Sequence, residues 1–311
     1  MSSGMKNLRS MTDGSLRNEK VEETRSMYQK LNINLHEILR ARMSPRMRRL
    51  IPGVLITGLE KIIHQDELND MLDRTYPLEG SEFSKRLYEL MELKLDVEGM
   101  EHLEEGKRYV FASNHPLGGL DGIGLIKILG ERYGDEGVRF LVNDMLMNVV
   151  PLRNVFLPIN KYGSQGREAA KSINAAFESE RQMVVFPAGL VSRLHPDGEI
   201  KDLTWQKSFV QKGVASGRDF VPMYFEGLNR MRFYRLARWR KRLGIKVNLE
   251  QAMLPAELCA ARGKHFRVIF GTPISHQEIE RRMQRGESAT EIAAWLREKS
   301  LQLRAHSKAP K

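Results

Sequence analysis

The sequence predicts an α/β fold in which a central, mostly parallel mixed sheet is flanked by helices. Two observations support this class. Short apolar runs of strand length recur along the chain, and segments with the apolar periodicity of a helix lie between most of them. The predicted strands lie near residues 93–97, 109–113, 138–142, 155–159, 183–186, 219–225 and 266–270.

The chain is predicted to be helical before this sheet begins. Residues 1–30 are polar and lack the apolar core of a secretion signal, which predicts a flexible tail. Residues 31–91 are expected to form an N-terminal helical subdomain that packs beside the sheet and faces a membrane, and residues 92–311 the α/β domain with its C-terminal helices. The apolar run 50–59 is shorter than the ~18 residues of a transmembrane helix, so no span is predicted.

Three local patterns support the later elements. Alternating apolar residues at 93, 95 and 97 predict a half-exposed first strand. An apolar stripe from Ala169 to Phe177 predicts a helix. Ser288 and Glu291 have the spacing of a capping box, which predicts the start of a terminal helix.

The composition is that of a globular protein, with 41% hydrophobic and 29% charged residues among 311. One cysteine, Cys259, excludes an internal disulfide framework and suits a reducing cytoplasm. No base lies near it in the sequence, so a buried structural thiol is expected.

The net charge of +11 is concentrated in two clusters, within residues 40–49 and 230–242. In the second, arginines alternate with Phe, Tyr, Leu and Trp, a pattern that favours the surface of an anionic membrane. Nucleic acid is the less favoured partner because no nucleic-acid-binding motif accompanies the charge. A solvated helix face and a docking face for an acidic protein remain the alternatives.

A His and an Asp in a glycine-rich turn give the strongest indication of chemistry. Residues 111–122 read Phe-Ala-Ser-Asn-His-Pro-Leu-Gly-Gly-Leu-Asp-Gly, which places His115 between a predicted strand and a helix. Asp121 can orient the imidazole as a general base, and Gly118 and Gly119 allow the tight turn that brings the two side chains together. The alternative is a turn histidine followed by a helix N-cap.

Other catalytic templates are absent from the sequence. It contains no Gly-x-Ser-x-Gly elbow, no phosphate-binding loop of the Walker type and no cluster with metal-ligand spacing. We therefore expect neither a metal nor a bound cofactor.

The Asn-His and Asp residues of this loop resemble the signature of the glycerolphosphate and lysophospholipid acyltransferases. The resemblance implies that His115 is the base for the acceptor and that Asp121 orients it. Five residues separate His115 from Asp121 here, where the family usually has four. The extra residue and the paired glycines resemble the branch associated with bacterial ornithine and glycine lipids.

Further blocks resemble the same family, in the same order, over residues 93–274. Residues 186–192 resemble its Phe-Pro-Glu-Gly-Thr-Arg-Ser motif, with alanine, leucine and valine in place of the Glu, Thr and Arg. Residues 155–159 resemble a block that ends in Arg, where this chain has Asn160. Residues 220–223 and 271–274 resemble the Val-Pro block and the closing strand.

These replacements bear on the acceptor. A phosphate is best held by an arginine fork or by backbone amides, so the loss of two such positions makes a lysophosphatidate acceptor the less favoured alternative. A hydroxylated or amino-acid lipid remains, with cations available for its carboxylate. The residues expected to bind substrate are Asn114, Gly118, Gly119, Asn160, Lys161, Gly189, Arg193 and Lys207.

The predicted reaction is direct acyl transfer from a thioester of acyl carrier protein or coenzyme A to a lysolipid-type acceptor. Backbone amides near Gly118, Gly119 or Gly189 are expected to bind the oxyanion. The enzyme is expected in the cytoplasm, associated peripherally with the inner face of the membrane. The alternative from another class is a non-enzymatic lipid- or nucleic-acid-binding protein on the same fold.

Overall fold

The computed structural model describes residues 33–34, 53–159, 164–244 and 249–306. The strands of its main sheet are β1 (Lys94–Glu98), β2 (Tyr109–Ser113), β3 (Val138–Asn143), β4 (Phe156–Ile159), β5 (Gln182–Val185), β8 (Asp219–Glu226) and β9 (His265–Phe270), and β6 (Arg193–Leu194) and β7 (Ile200–Lys201) form a small hairpin. The described α-helices are α1 (Gly53–Ile62), α2 (Gln65–Thr75), α3 (Gly80–Leu90), α4 (Gly119–Tyr133), α5 (Ser164–Glu178), α6 (Ser208–Ala215), α7 (Met231–Arg242), α8 (Leu254–Cys259), α9 (His276–Gln284) and α10 (Ala289–His306).

The main sheet is mixed and mostly parallel, as the sequence predicts. Its strand order is β1-β9-β8-β2-β5-β3-β4. The five strands from β8 to β4 are parallel to one another, whereas β9 runs antiparallel to β8 and carries β1 as a parallel edge strand. All seven predicted strands are therefore present, although the segment 271–274 forms only one isolated bridge, from Ile274 to Phe220.

The central strand β2 shows why the sheet is buried on both faces. All five of its residues are buried, and successive side chains of a strand point to opposite faces. Tyr109 and Phe111 join a core shared with α3 and α4, whereas Val110 and Ala112 join a second core shared with α5, α6 and α10. The sheet is thus the middle layer between two groups of helices.

Helices α2 and α3, which precede the sheet, belong to the first core, and α3 packs against α4. Leu87 and Tyr88 of α3 are almost fully buried there, and Met71 of α2 is buried in the same cluster. The predicted boundary near residue 91 stays a prediction. The predicted tail, residues 1–30, and the first basic cluster lie outside the described residues.

Two helix starts follow the sequence patterns. Gly118 precedes α4 with a φ of 82°, a left-handed conformation that favours glycine. At the start of α10 the backbone amide of Ser288 donates to Glu291 Oε2 at 2.8 Å, and that of Glu291 donates to Ser288 Oγ at 3.3 Å, which is a capping box. None of the described helices is long and apolar enough to cross a membrane.

Candidate active site

The loop that carries His115 lies at the carboxyl edge of the parallel strands. It begins after β2 ends at Ser113 and leads into α4 at Gly119. The neighbouring strand β5 ends at Val185, in register with the last residues of β2, so Phe186 lies at the same edge. This edge is where open α/β sheets bind their ligands.

His115 and Asp121 are in contact. Nδ1 of His115 lies 3.1 Å from Oδ2 of Asp121, and the Asp121 side chain is completely buried. The backbone amides of Leu117 and Gly122 also donate to Asp121, at 2.9 and 2.8 Å. A carboxylate in this position favours the tautomer in which Nδ1 carries the proton and Nε2 is free to act as a base. The five-residue spacing therefore permits the contact.

The charges around His115 raise the pKa of its imidazole. Burial is the largest single effect and lowers that pKa, because it disfavours the charged ring. The charge of Asp121 and its hydrogen bond, together with the charge of Asp202, outweigh burial, while Arg193 opposes them. The net pKa of His115 lies above its usual value.

Asp202 is part of this site although no sequence motif marks it. Its buried carboxylate accepts hydrogen bonds from the backbone amide of His115 at 3.2 Å, from Ser192 Oγ at 2.6 Å and from Trp205 Nε1 at 2.9 Å. It therefore joins the His115 loop to residues 186–192, which are called the second motif below. The only sequence signal was an acidic residue in a short segment that also contains tryptophan, which is too weak to identify it.

The second motif also contacts His115 directly. The ring of Phe186 stacks on the imidazole, with centroids 4.2 Å apart and planes inclined by 29°. The backbone amide of Ser192 donates to the carbonyl of His115 at 2.8 Å. These contacts fix the imidazole between the two loops, which is a role that sequence reasoning did not assign to Phe186 or Ser192.

Two other His–Asp contacts in the described residues do not share this setting. His276 Nδ1 lies 2.8 Å from Asp219 Oδ1, but Asp219 begins β8 and pairs with Tyr109, at the amino edge of the parallel strands. His265 and Asp96 are more than half exposed at the β1–β9 edge. His115 is therefore the histidine of these three pairs that lies at the carboxyl edge.

Asn114 ties the catalytic loop to β8. Its Nδ2 donates to the Phe225 carbonyl at 2.9 Å, and its Oδ1 accepts from the Phe225 amide at 2.6 Å. Both ends of this buried amide are used by β8. These bonds give Asn114 a structural role, and its binding of substrate stays a prediction.

The predicted glycines differ in what they offer to an oxyanion. The amides of Gly118 and Gly119, at the start of α4, have no hydrogen-bond acceptor among the described residues. The amide of Gly189 instead donates to the Phe186 carbonyl at 2.9 Å, within a tight turn. The amides of Gly118 and Gly119 are therefore the available donors for an oxyanion, and a contribution from amides near Gly189 stays a prediction.

Arg193 is not the free cation that its position in the sequence suggested. Its Nη2 donates to Glu250 Oε1 at 2.8 Å, and Arg240 Nε donates to Glu250 Oε2 at the same distance. The Glu250 side chain is fully buried, so it holds both arginines in place. Arg193 affects His115 through its charge, whereas its fork is occupied by Glu250 and by the carbonyl of Val191.

Of the three remaining substrate-binding candidates, only one lies in the part of the chain that the structure describes. Lys207 is exposed immediately before α6. Asn160 and Lys161 lie outside the described residues. Cys259 is buried, and burial beside Glu67 raises the pKa of its thiol to about 12, as expected for a structural cysteine.

One group of potential metal ligands occurs in the described part of the chain. Ligand atoms of His64, Glu67 and Cys259 lie within 4.8 Å of one another. Glu67 is already paired with Arg262 at 3.1 Å, and the group shares no residue with the His115 network. The expectation of a metal-independent site stays a prediction.

The chain belongs to the acyltransferase family, whose sequence model matches residues 38–309. The lyso-glycine lipid O-acyltransferase of Bacteroides thetaiotaomicron is 42% identical over 249 residues, which cover 80% of this chain and 90% of that protein. The protein of the same name from Phocaeicola vulgatus is 42% identical over 249 residues, with 80% and 88% covered. The crystal structure of the 1-acyl-sn-glycerophosphate acyltransferase PlsC from Thermotoga maritima covers 83% of this chain and 95% of its own, with 15% identity and a TM-score of 0.44.

The family model and the two relatives at 42% identity confirm the predicted family and its amino-acid-lipid branch. The protein is therefore an acyltransferase, rather than a binding protein on the same fold.

Proposed function

We propose that this enzyme transfers a fatty acyl group from an acyl thioester to the hydroxyl of a lysolipid whose head group is an amino acid, with lyso-glycine lipid as the first candidate. The observation that carries the proposed chemistry is the 3.1 Å contact between His115 Nδ1 and buried Asp121. The names of the two relatives at 42% identity support the acceptor class.

The proposed step is a direct transfer. Nε2 of His115 accepts the proton of the acceptor hydroxyl as its oxygen attacks the thioester carbonyl. The amides of Gly118 and Gly119 donate to the oxyanion of the tetrahedral intermediate. When the intermediate collapses, the carbon–sulfur bond breaks, the ester is released, and the imidazolium returns its proton to the departing thiolate. Acyl carrier protein and coenzyme A are both candidate carriers.

The second motif supports an acceptor without a phosphate. Ala188 and Val191, which replace the Glu and Arg of the family motif, are both buried. Neither offers a charge-assisted hydrogen bond to a phosphate. Lys161 and Lys207 are the proposed cations for the carboxylate of an amino-acid lipid. The guanidinium of Arg193 is held by Glu250, so Arg193 contributes only its positive charge.

The site of action that we propose is the inner face of the cell membrane, where a peripherally bound cytoplasmic enzyme meets its lysolipid. The substrate class requires such access, because the acceptor resides in a bilayer.

The test is an assay of the purified enzyme with acyl-acyl carrier protein or acyl-CoA and with lyso-glycine lipid, lyso-ornithine lipid or lysophosphatidate. We expect a diacylated product from an amino-acid lysolipid, detected by mass spectrometry, and a loss of at least about 100-fold in His115→Ala. His276→Ala is the matched control, since it removes a histidine of another His–Asp pair. Turnover of lysophosphatidate alone would overturn the acceptor class, and equal rates in His115→Ala would overturn the mechanism.

A further inference from the structure

Helix α7 has an exposed face that is basic and apolar at once. The helix contains six basic and no acidic residues. Its buried face is formed by Phe233, Tyr234 and Ala237, which pack toward the body of the protein. At 100° per residue, the opposite face carries Met231, Arg232, Arg235, Trp239 and Arg242, and Arg238 is exposed at its flank.

Large apolar side chains are concentrated at this place. Among the described residues, eight large hydrophobic side chains are exposed, and four of them lie between residues 228 and 243. These are Leu228 at 54%, Met231 at 43%, Trp239 at 55% and Leu243 at 56% exposure. Trp239 and Leu243 are four residues apart, and exposed apolar side chains that are grouped among basic ones are typical of an interaction surface.

Four of the six basic residues of α7 have no salt bridge within the described part of the chain. The described part of the chain places no carboxylate against Arg235, Arg238, Lys241 or Arg242. By contrast, Arg230 and Arg232 are paired with buried Glu257, and Arg240 with buried Glu250. The helix is therefore anchored through its paired arginines, while the unpaired ones remain available to an anionic partner.

The surface is connected to the catalytic loop by short contacts. The hydroxyl of Tyr234 in α7 accepts from the backbone amide of Asn229 at 3.1 Å, and Asn229 Nδ2 donates to the carbonyl of Pro116 at 3.2 Å. Pro116 directly follows His115. On the second motif, Val191 packs with Phe233 and Tyr234 in one small apolar cluster. The buried side of α7 thus packs against the loop that holds the base, and its exposed side faces away from that loop.

We infer that the exposed face of α7 docks on an anionic lipid bilayer, with Trp239 and Leu243 in the interfacial region and the free arginines on the lipid phosphates. This inference rests on the proposed lysolipid acyl transfer and names the surface that the enzyme uses for it. An acidic carrier protein would also match the charge. The half-exposed Trp and Leu side chains favour the bilayer, because an interface offers them an apolar layer.

The test measures binding to phosphatidylcholine vesicles with and without phosphatidylglycerol. We expect the enzyme to prefer the anionic vesicles and to be released by salt. The variant Arg235→Gln/Arg242→Gln should weaken this binding by about tenfold or more, because each cation near the surface contributes to the attraction. Arg281→Gln/Arg285→Gln is the matched control, since it removes the same charge from exposed positions at α9 and should bind normally.

Tryptophan fluorescence identifies the inserted residue. Of the three tryptophans, Trp205 is buried and Trp295 lies under Arg282, so Trp239 is the exposed one. We expect its emission to shift to shorter wavelength on anionic vesicles, and the shift to be lost in Trp239→Phe. Equal vesicle binding by the wild type and the Arg235/Arg242 variant would overturn the inference. So would a variant that loses binding to acidic acyl carrier protein but still binds anionic vesicles normally.

The activity of the same variants separates this inference from the proposed function. With the acceptor dispersed in neutral detergent, the Arg235/Arg242 variant should acylate at the wild-type rate, whereas on anionic vesicles it should be slower. If no acceptor is acylated in either form but vesicle binding depends on Arg235 and Arg242, the docking surface stands and the proposed function fails. If acylation proceeds and vesicle binding is unchanged in the variant, the proposed function stands and the docking surface fails.

Discussion

Two carboxylates act on the imidazole of His115 from different parts of the chain. Asp121 contacts Nδ1, whereas Asp202 accepts the backbone amide of the same residue. Both raise the pKa of His115, and Arg193 lowers it. Because a general base works only when it is unprotonated, the rate should fall as the pH drops through this raised pKa.

Asp202→Asn should therefore move the acid limb of the kcat/KM profile to lower pH. The substitution removes a negative charge that raises the pKa of His115, while an amide oxygen can still accept from the His115 amide. Arg193→Gln should move the same limb to higher pH, because it removes a positive charge that lowers that pKa. The measurement is the pH dependence of kcat/KM for each variant.

The control for this pair is Asp197→Asn, which removes an exposed carboxylate in the turn between β6 and β7. Its profile should coincide with that of the wild type. If Asp202→Asn lowered kcat without moving the acid limb, Asp202 would be only a structural link between the two loops.

The sequence reveals His115 and Asp121 but not Asp202 or Glu250, and the reason is physical. His115 and Asp121 are six positions apart, so one local turn brings them together and the sequence shows it. Asp202 reaches the His115 amide, and Glu250 reaches Arg193, only through contacts between residues that are far apart in the sequence. Their spacing along the chain carries no period or motif that would reveal such contacts.

At the scale of elements, the packing of α3 against α4 depends on glycine. A Cβ at Gly124 would lie 2.3 Å from the Tyr88 hydroxyl, and one at Gly130 would lie 2.5 Å from Ser81 Cβ. The two helices therefore approach too closely for side chains at these positions. Because Tyr88 also donates to the Leu120 carbonyl at 3.1 Å, this contact supports the first turn of α4, where Asp121 lies.

Gly124→Ala should destabilise the protein by about 2 kcal/mol, because the added methyl group must displace Tyr88 in a packed core. Gly122→Ala, two residues earlier in the same helix, should instead stabilise it by about 0.5–1 kcal/mol. A Cβ there meets only Phe186, at 3.9 Å, and alanine is the better helix former. Urea denaturation measures both, and a stabilising Gly124→Ala would show that the helices can separate without cost.

The strands were easier to predict than these helix contacts. Fully buried strands such as β2 and β5 are short apolar runs, and the exposed edge strand β1 shows alternation instead. The helix pairing depends on which glycines face which neighbour. That information is absent from the apolar period of α4, where Gly122 and Gly124 look equivalent.

At the scale of the whole molecule, the N-terminal helices and the sheet share one core. Met71 of α2 and Leu87 of α3 belong to the same cluster as Phe111 of β2 and Phe270 of β9. A subdomain that merely rested on the sheet would have an apolar cluster of its own. The shared cluster implies that α2, α3 and the sheet are stabilised by the same contacts.

We therefore expect α3 and β2 to unfold together. In hydrogen exchange monitored by mass spectrometry at increasing urea concentration, peptides from residues 80–90 and 109–113 should reach the same opening free energy. Leu87→Ala should lower both values by the same amount, about 2–5 kcal/mol, because it leaves a cavity in the common core. The contrary result is that α3 exchanges at a lower opening free energy than β2 and that Leu87→Ala leaves β2 unaffected. Residues 53–90 would then be an independent unit that can move relative to the catalytic loop.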